Sequence, residues 1–272
     1  MGIYLDQYLN PHNYKTRNFN KTNSIIYQLY EVATSTKNNP TAYYRKNYDS
    51  IPPWILLSNL TLGQTRMLFS IFKSDCTKYV ALSLLPHEAF GSSFDDLLIN
   101  FLTDKEWKQL ESFPDTSKEG LAFEKKLLSK KKEPYIEMVK TMLHIIHYFR
   151  NQLAHGNKLL HFKTPFKLRL KTLRTYADSD VFNDKEFYKK DLGKNDLFAF
   201  MISLIILLDK YDSIYMLDQL KSWKERNTKN KEAQQAFDNF LRSCDLPVDF
   251  INRLSKLKID PLYQDNLNKR FN

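Results

Sequence analysis

The stretch Met138–His161, which reads MVKTMLHIIHYFRNQLAHGNKLLH, determines how the rest of the chain is interpreted, because it contains four of the six histidines. Apolar residues recur at steps of three or four through it and just before it, at Ile136, Val139, Met142, Leu143, Ile146 and Phe149. This spacing predicts an amphipathic helix with one face in a core. The polar face carries Lys140, His144, His147 and Asn151. Pro134 is expected to begin the helix and Gly156 to end it.

Other periodic segments are also helical in pattern. Two helices with a turn near Gly63 are predicted over residues 51–72, which read IPPWILLSNLTLGQTRMLFSIF. Trp54 is expected to anchor the core. Residues 196–223 predict one long helix whose apolar first half is buried. Only 6 Gly and 10 Pro in 272 residues supply few turns, which argues against a barrel or sandwich of short strands. We therefore predict an all-α fold.

Composition and charge restrict the class of protein. The chain is 42% hydrophobic, enough for a buried core, and its formal net charge of +10 attracts polyanions such as RNA, DNA or an anionic membrane. The same charge is typical of an ordinary basic protein. Cys76 and Cys244 are isolated, the N-terminus lacks a secretory signal, and the longest apolar run is too short to cross a bilayer. These features predict a cytoplasmic protein without a membrane partner.

Two basic segments flank the central helix. The first precedes Pro134 and consists of Lys125, Lys126, Lys130, Lys131 and Lys132; the second follows Gly156 and consists of Lys158, Lys163, Lys167, Arg169, Lys171 and Arg174. With Lys140 and His147 on the helix, they are predicted to bind RNA. The alternative is an ordinary solvated surface. A third segment, TAYYRKNYDS at residues 41–50, either stacks on a nucleic-acid strand or packs its tyrosines against the core.

The centre of the opening stretch, Arg150 to His155, has the chemistry of a ribonuclease site. RNA carries its own nucleophile, the 2′-hydroxyl, so cleavage needs a group that moves protons and a cation that stabilises the phosphate. Imidazole titrates near neutral pH, and guanidinium can hold two phosphate oxygens. Asn151 can orient either group. Because five residues of ideal helix turn through about 500°, the helix must end or bend between Arg150 and His155.

The same residues have two other interpretations. Arg150 and His155 can cap the helix by binding its terminal carbonyls, a common role for cations at a C-terminus. His144 and His147, with His155 or His161, can instead hold a metal ion, but no Asp or Glu completes that set. We therefore predict no metal and no cofactor. Since one histidine cannot be acid and base at the same moment, a second copy of the site in a homodimer is expected to supply the missing partner.

At these residues the sequence resembles the Abi-like family of bacterial abortive-infection proteins (AbiD/AbiF type), within the wider HEPN group of helical RNA-targeting domains. Its signature, Arg-Asn-x-x-Ala-His, is matched by Arg150, Asn151, Ala154 and His155. Looser matches are the Pro-x-Trp segment with a downstream glycine and a terminal proline followed by an aromatic residue, here Pro52, Trp54, Gly63, Pro247 and Phe250. Ser58, Gly156 and Lys158 depart from the residues that are frequent in the family.

The resemblance implies one domain over residues 1–272: a HEPN-like helical bundle at roughly 50–224, an N-terminal helical extension at 1–49 and short C-terminal helices at 225–272. It further implies a metal-independent endoribonuclease that acts from a dimeric site and halts the growth of phage-infected cells. Arg150 and His155 would be catalytic and Asn151 would support them. Some relatives are accompanied by a small noncoding RNA, so a regulatory RNA is an expected partner beside the RNA substrate.

Two functions of other classes are compatible with the same sequence. A non-catalytic RNA-binding protein would hold a structured noncoding RNA through the two basic segments and would bind in a salt-sensitive way without cleavage. A helical scaffold would act through protein contacts, and reversing its surface charges would change nothing.

Overall fold

A computed structural model describes residues 7–37, 39–48, 50–86, 93–114 and 117–257 of the chain. Within these ranges every regular element is a helix and there is no strand, which confirms the predicted all-α class. The chain divides into two compact units, one up to Val80 and one from Ala81. None of the helices within the described ranges is long and apolar enough to cross a membrane.

The first unit packs short helices around one apolar cluster. Its elements are two 3₁₀ helices, Gln7–Leu9 and Pro11–Asn13, followed by α1 (Phe19–Thr34), α2 (Asn39–Asn47), α3 (Pro53–Asn59), α4 (Leu62–Ile71) and the start of α5 (Ser74–Ser83). Leu29, Ile51 and Leu56 are almost completely buried at its centre. Burial of such side chains stabilises the unit by about 1.5–3 kcal/mol each.

The predicted pair of helices at residues 51–72 is confirmed as α3 and α4. The chain turns at Leu60 and Thr61, and Gly63 lies inside α4 instead of in the turn. Thr61 begins α4 because its side chain accepts from the Gln64 amide while the Gln64 side chain accepts from the Thr61 amide. This capping box is a stronger helix start than glycine, and it displaces the turn by two residues.

Aromatic side chains of this unit lie largely at its surface. The expectation that Trp54 anchors the core is wrong, because its side chain is 67% exposed. Trp54 follows Pro53 in the first turn of α3, and it is Leu56, two positions later, that faces the core. In the tyrosine segment, Tyr44 packs against the core whereas Tyr43 and Tyr48 are exposed. The packing alternative is therefore confirmed for Tyr44 alone, and Tyr43 and Tyr48 are accessible to solvent.

The second unit is built around α8. Its other helices are α6 (Phe94–Ile99), α7 (Asp104–Glu111), α9 (Leu170–Leu173), α10 (Asp184–Lys189), α11 (Leu197–Leu207), α12 (Lys210–Asn227), α13 (Lys231–Ser243) and α14 (Phe250–Leu254), and α8 itself is Lys118–Ala154. Phe149 of α8 is fully buried, and its ring lies 5.0 Å from those of both Phe162 and Phe200. This contact joins α8 to α11 directly behind the Arg150–His155 segment.

Pro134 does not begin a helix, contrary to the prediction. It lies in the interior of α8, which runs without interruption from Lys118 to Ala154. A proline there removes the amide that would bond to the carbonyl of Lys130, at a cost of about 3 kcal/mol. Burial of Tyr135, Ile136, Met138 and Val139 directly after the proline offsets that cost.

The single long helix predicted over residues 196–223 is also wrong, because α11 ends at Leu207 and α12 begins at Lys210. Asp209 separates them: its carboxylate accepts from the amides of Tyr211 and Asp212, which caps α12. The expectation of a buried first half is confirmed, since Phe198, Ala199 and Ile202 are fully buried.

Candidate functional site

The Arg150–His155 segment lies at the C-terminal end of α8, where the helix stops as expected. Gly156 has φ +64°, a backbone conformation that favours glycine. Its amide donates to the carbonyl of Leu153 at 3.1 Å, and the Asn157 amide donates to that of Gln152 at 3.0 Å. This pair of bonds is a Schellman motif. The helix therefore continues through Ala154 and ends directly before His155, which is its C-cap.

Asn151 links two neighbouring side chains. Nη1 of Arg150 donates to its Oδ1 at 3.2 Å, and its Nδ2 lies 3.1 Å from Nε2 of His147. A guanidinium can only donate, so the amide oxygen must face Arg150 and the amide nitrogen must face His147. Nε2 of His147 then accepts the second bond. The three side chains form a hydrogen-bonded row along the end of α8.

Arg150 and His155 are both exposed to solvent. Within the described ranges Arg150 forms no ion pair, and its side chain bonds to Asn151 and not to a helix carbonyl. The last carbonyls of α8 accept instead from the backbone amides of residues 155–157. The capping interpretation is therefore not supported in the part of the chain that is described. Both side chains are accessible to an anionic ligand.

The remaining histidines of the stretch have separate neighbours. His144 stacks on Phe166, with ring centroids 4.0 Å apart, and His161 pairs through Nδ1 with the carboxylate of Asp245 at 3.2 Å. Across the described residues no group of three or more His, Cys, Asp or Glu could hold a metal ion. The metal site considered from the sequence, His144 and His147 with His155 or His161, is not assembled there.

Three lysines of the first basic segment are exposed to solvent, and two form ion pairs within the protein. Lys125, Lys126 and Lys130 are exposed. Lys131 lies 2.8 Å from Glu106 of α7, and Lys132 lies 2.5 Å from Asp95 of α6. The Lys131 ammonium, together with bonds from Thr103, lowers the pKa of Glu106 to about 2. These two lysines hold α6 and α7 against α8.

The second basic segment presents most of its cations to solvent. Lys158, Lys163, Lys167, Arg169 and Lys171 are exposed. Arg174 bonds within the protein: its guanidinium donates to the carbonyl of Phe182 at 2.8 Å and to the carboxylate of Asp184 at 2.5 Å. Lys140, on α8, pairs with Glu137 at 2.5 Å. Five cations therefore follow the motif on a surface that is open to a polyanion.

Two residues inside the motif have roles that sequence reasoning missed. Gln152 fastens the loop after the helix, since Oε1 accepts from Asn157 at 3.0 Å and Nε2 donates to the carbonyl of Lys158 at 3.4 Å. Leu153 is 53% exposed beside His155, and Leu160 is 49% exposed beside His161. A leucine close to the predicted helix end at Gly156 was the available signal for Leu153.

Comparison with known proteins identifies one relationship. The sequence profile of the family described as Abi-like protein matches residues 4–161, more than half of the chain, and the match includes all of α8 and the motif. No curated protein and no solved structure shows detectable similarity.

Proposed function

The chain belongs to the Abi-like protein family, and from this membership we propose that it acts in abortive infection as a metal-independent endoribonuclease of the HEPN group. The family supports a role in phage defence. The ribonuclease assignment rests on one observation: the row Arg150–Asn151–His147 at the end of α8, with His155 exposed at the cap. The row holds the Arg150 cation in place, and His155, five positions later in the chain, is the proposed proton-transfer group.

The proposed reaction is transesterification of the RNA backbone. His155 takes the proton from a 2′-hydroxyl, and the 2′-oxygen forms a bond to phosphorus as the bond to the 5′-oxygen breaks. The products are a 2′,3′-cyclic phosphate and a 5′-hydroxyl, whose oxygen receives a proton from a second acid. Arg150 binds the phosphate oxygens as charge accumulates on them, and Asn151 keeps the guanidinium in position.

The second acid is proposed to come from another copy of the chain. His147 is held by Asn151, and His144 is stacked on Phe166, so His155 is the accessible imidazole of the motif. Leu153, two positions before it, and Leu160, five positions after it, provide exposed apolar surface. A pair of such surfaces is self-complementary about a two-fold axis and would bring two copies of His155 together.

Expression toxicity and RNA cleavage by purified protein test this function. Arg150→Ala and His155→Ala should each lose toxicity and cleavage, whereas Lys229→Ala, an exposed lysine elsewhere in the second unit, should behave as wild type. Equal toxicity and equal cleavage in all four proteins would refute the proposal.

A non-catalytic RNA-binding role is the second candidate, favoured by the five exposed cations of residues 158–171. Its test is the salt dependence of affinity for a structured RNA. Replacing Lys167 and Arg169 by alanine should reduce the slope of log K against log salt concentration by about 0.7 for each phosphate that the variant no longer neutralises. RNA binding with that slope, combined with no cleavage by wild-type protein, would select this role over the nuclease.

A further inference from the structure

The second unit contains a cleft that the proposed ribonuclease chemistry does not use. It has a volume of about 470 Å³ and opens between α6, α8 and α9. Apolar side chains form most of its wall, among them Leu98, Leu127 and Pro134. Pockets of 300–1,000 Å³ with an apolar lining and a few polar groups are the usual sites for small organic ligands.

Positive charge predominates at the rim of the cleft. Four cations and one carboxylate line it. Two of the cations, Lys131 and Arg174, are bonded to Glu106 and Asp184. Lys130 and Lys171 are exposed, and neither pairs with a carboxylate in the described ranges. They are available to a ligand that is anionic at one end.

Pro134 leaves one backbone acceptor of α8 without its helical partner. Because proline has no amide hydrogen, the carbonyl of Lys130 lacks its usual helical donor, and Lys130 and Pro134 both line the cleft. The hydroxyls of Tyr135 and Thr175, also in the lining, are bonded to each other at 2.9 Å. This carbonyl can accept from solvent or from a ligand in the cleft, and a flat ligand with an N–H donor on its edge would suit it.

We propose that this cleft binds a nucleotide, with the base against Leu98, Leu127 and Pro134 and the phosphate at Lys130 and Lys171. The apolar wall covers the faces of the base, the Lys130 carbonyl accepts from an amino group on its edge, and the lysines neutralise the phosphate. A simple fatty acid carries no N–H donor for this carbonyl. The nucleotide is either free or one residue of an RNA strand, and both present the same chemistry.

Calorimetry with the full-length protein and each of the four ribonucleoside monophosphates tests the site directly. We expect at least one of them to bind. Lys130→Glu with Lys171→Glu should weaken its binding at least tenfold by reversing the rim charge. Leu127→Trp should also weaken it at least tenfold, by filling the cleft without changing charge. Lys229→Glu is the matched control and should leave binding unchanged.

Three results would overturn the proposal. The first is that no monophosphate binds, and the second is that neither the double lysine variant nor Leu127→Trp changes binding. The third is that the double lysine variant loses binding while Leu127→Trp keeps it, which would indicate non-specific attraction. Variants are compared only when their melting temperatures show that they fold. Displacement of a labelled single-stranded RNA by the monophosphate would identify the nucleotide as part of RNA, and retention of the RNA would identify it as free. Because binding is measured without cleavage, and also in Arg150→Ala, the result does not depend on the proposed nuclease.

Discussion

The side-chain nitrogen of Asn151 lies 3.1 Å from Nε2 of His147, one turn earlier on the same helix. The oxygen of the same amide accepts from Arg150, so one side chain determines the position of two neighbours. Asn151→Ala releases both of them. Because a displaced catalytic group can cost up to about 10²-fold in rate, this variant should cleave RNA at least about tenfold more slowly in single-turnover assays.

Asn157→Ala is the control for that experiment, because Asn157 bonds to Gln152 beyond the end of the helix and not to Arg150. It should retain most of the activity. If Asn151→Ala cleaved as fast as wild type, the amide would have no positioning role, and the hydrogen-bonded row would not belong to the site.

Leu153 is expected to be part of the contact between two copies of the chain. Its side chain is 53% exposed next to His155, where a monomer gains nothing from an apolar group. Leu153→Asp should shift sedimentation towards the monomer and reduce cleavage in parallel. Leu121, 56% exposed near the other end of α8, provides the matched control Leu121→Asp. A monomeric variant with full activity would contradict the composite site.

Glu106 makes part of the stability dependent on pH. Its folded pKa of about 2 lies below its ordinary value near 4.5, so the contribution is complete above that value and disappears as the pH falls towards 2. Glu106→Gln should lower the free energy of unfolding at pH 7 by up to about 1 kcal/mol, because the pair with Lys131 is partly exposed. The difference between variant and wild type should vanish near pH 2.

Denaturant titrations at several pH values measure that difference. Glu111→Gln, on the same helix and exposed, should show little change at any pH. A Glu106→Gln deficit that persisted undiminished at low pH would exclude the Lys131 ion pair as its cause.

Pro134 is predicted to reduce stability while forming one wall of the cleft. Pro134→Ala restores the amide that bonds to the Lys130 carbonyl and should raise the free energy of unfolding by up to about 3 kcal/mol. The same bond occupies the carbonyl that the proposed nucleotide would use, so nucleotide binding should weaken. Lys126→Ala, also on α8, replaces one good helix former by another and should change the free energy of unfolding little. A Pro134→Ala protein that was no more stable than wild type would mean that α8 already compensates for the missing bond.

The periodicity of apolar residues was sufficient to predict the helices, and the glycine at 156 was sufficient to predict where α8 ends. Pro134 and Asp209 were misjudged for different reasons: tertiary burial overrides the local preference at Pro134, whereas a local capping signal was missed at Asp209. The core of α8 overrides the proline, and a single capping aspartate divides an apparently continuous apolar helix. Trp54 was assigned to the core by its size, but its position in the first turn of α3 leaves it at the surface.

At the candidate site, the sequence identified Arg150, Asn151 and His155, and geometry added what spacing alone cannot provide. The bond from Asn151 to His147 depends on side-chain direction one turn away. The division of the lysines into exposed and ion-paired groups depends on where α6 and α7 lie. Helical spacing already placed His147 and Asn151 on one face, whereas the division of the lysines is not encoded in the local sequence around the motif.

The most direct test of the central claim is single-turnover cleavage of RNA in excess chelator by the wild-type protein and by His155→Ala. We predict that the wild type cleaves and leaves 2′,3′-cyclic phosphate ends, and that the variant is slower by about 10²–10⁴-fold, the usual contribution of a proton-transfer group. Cleavage that the chelator abolishes, or equal rates for the two proteins, would contradict it.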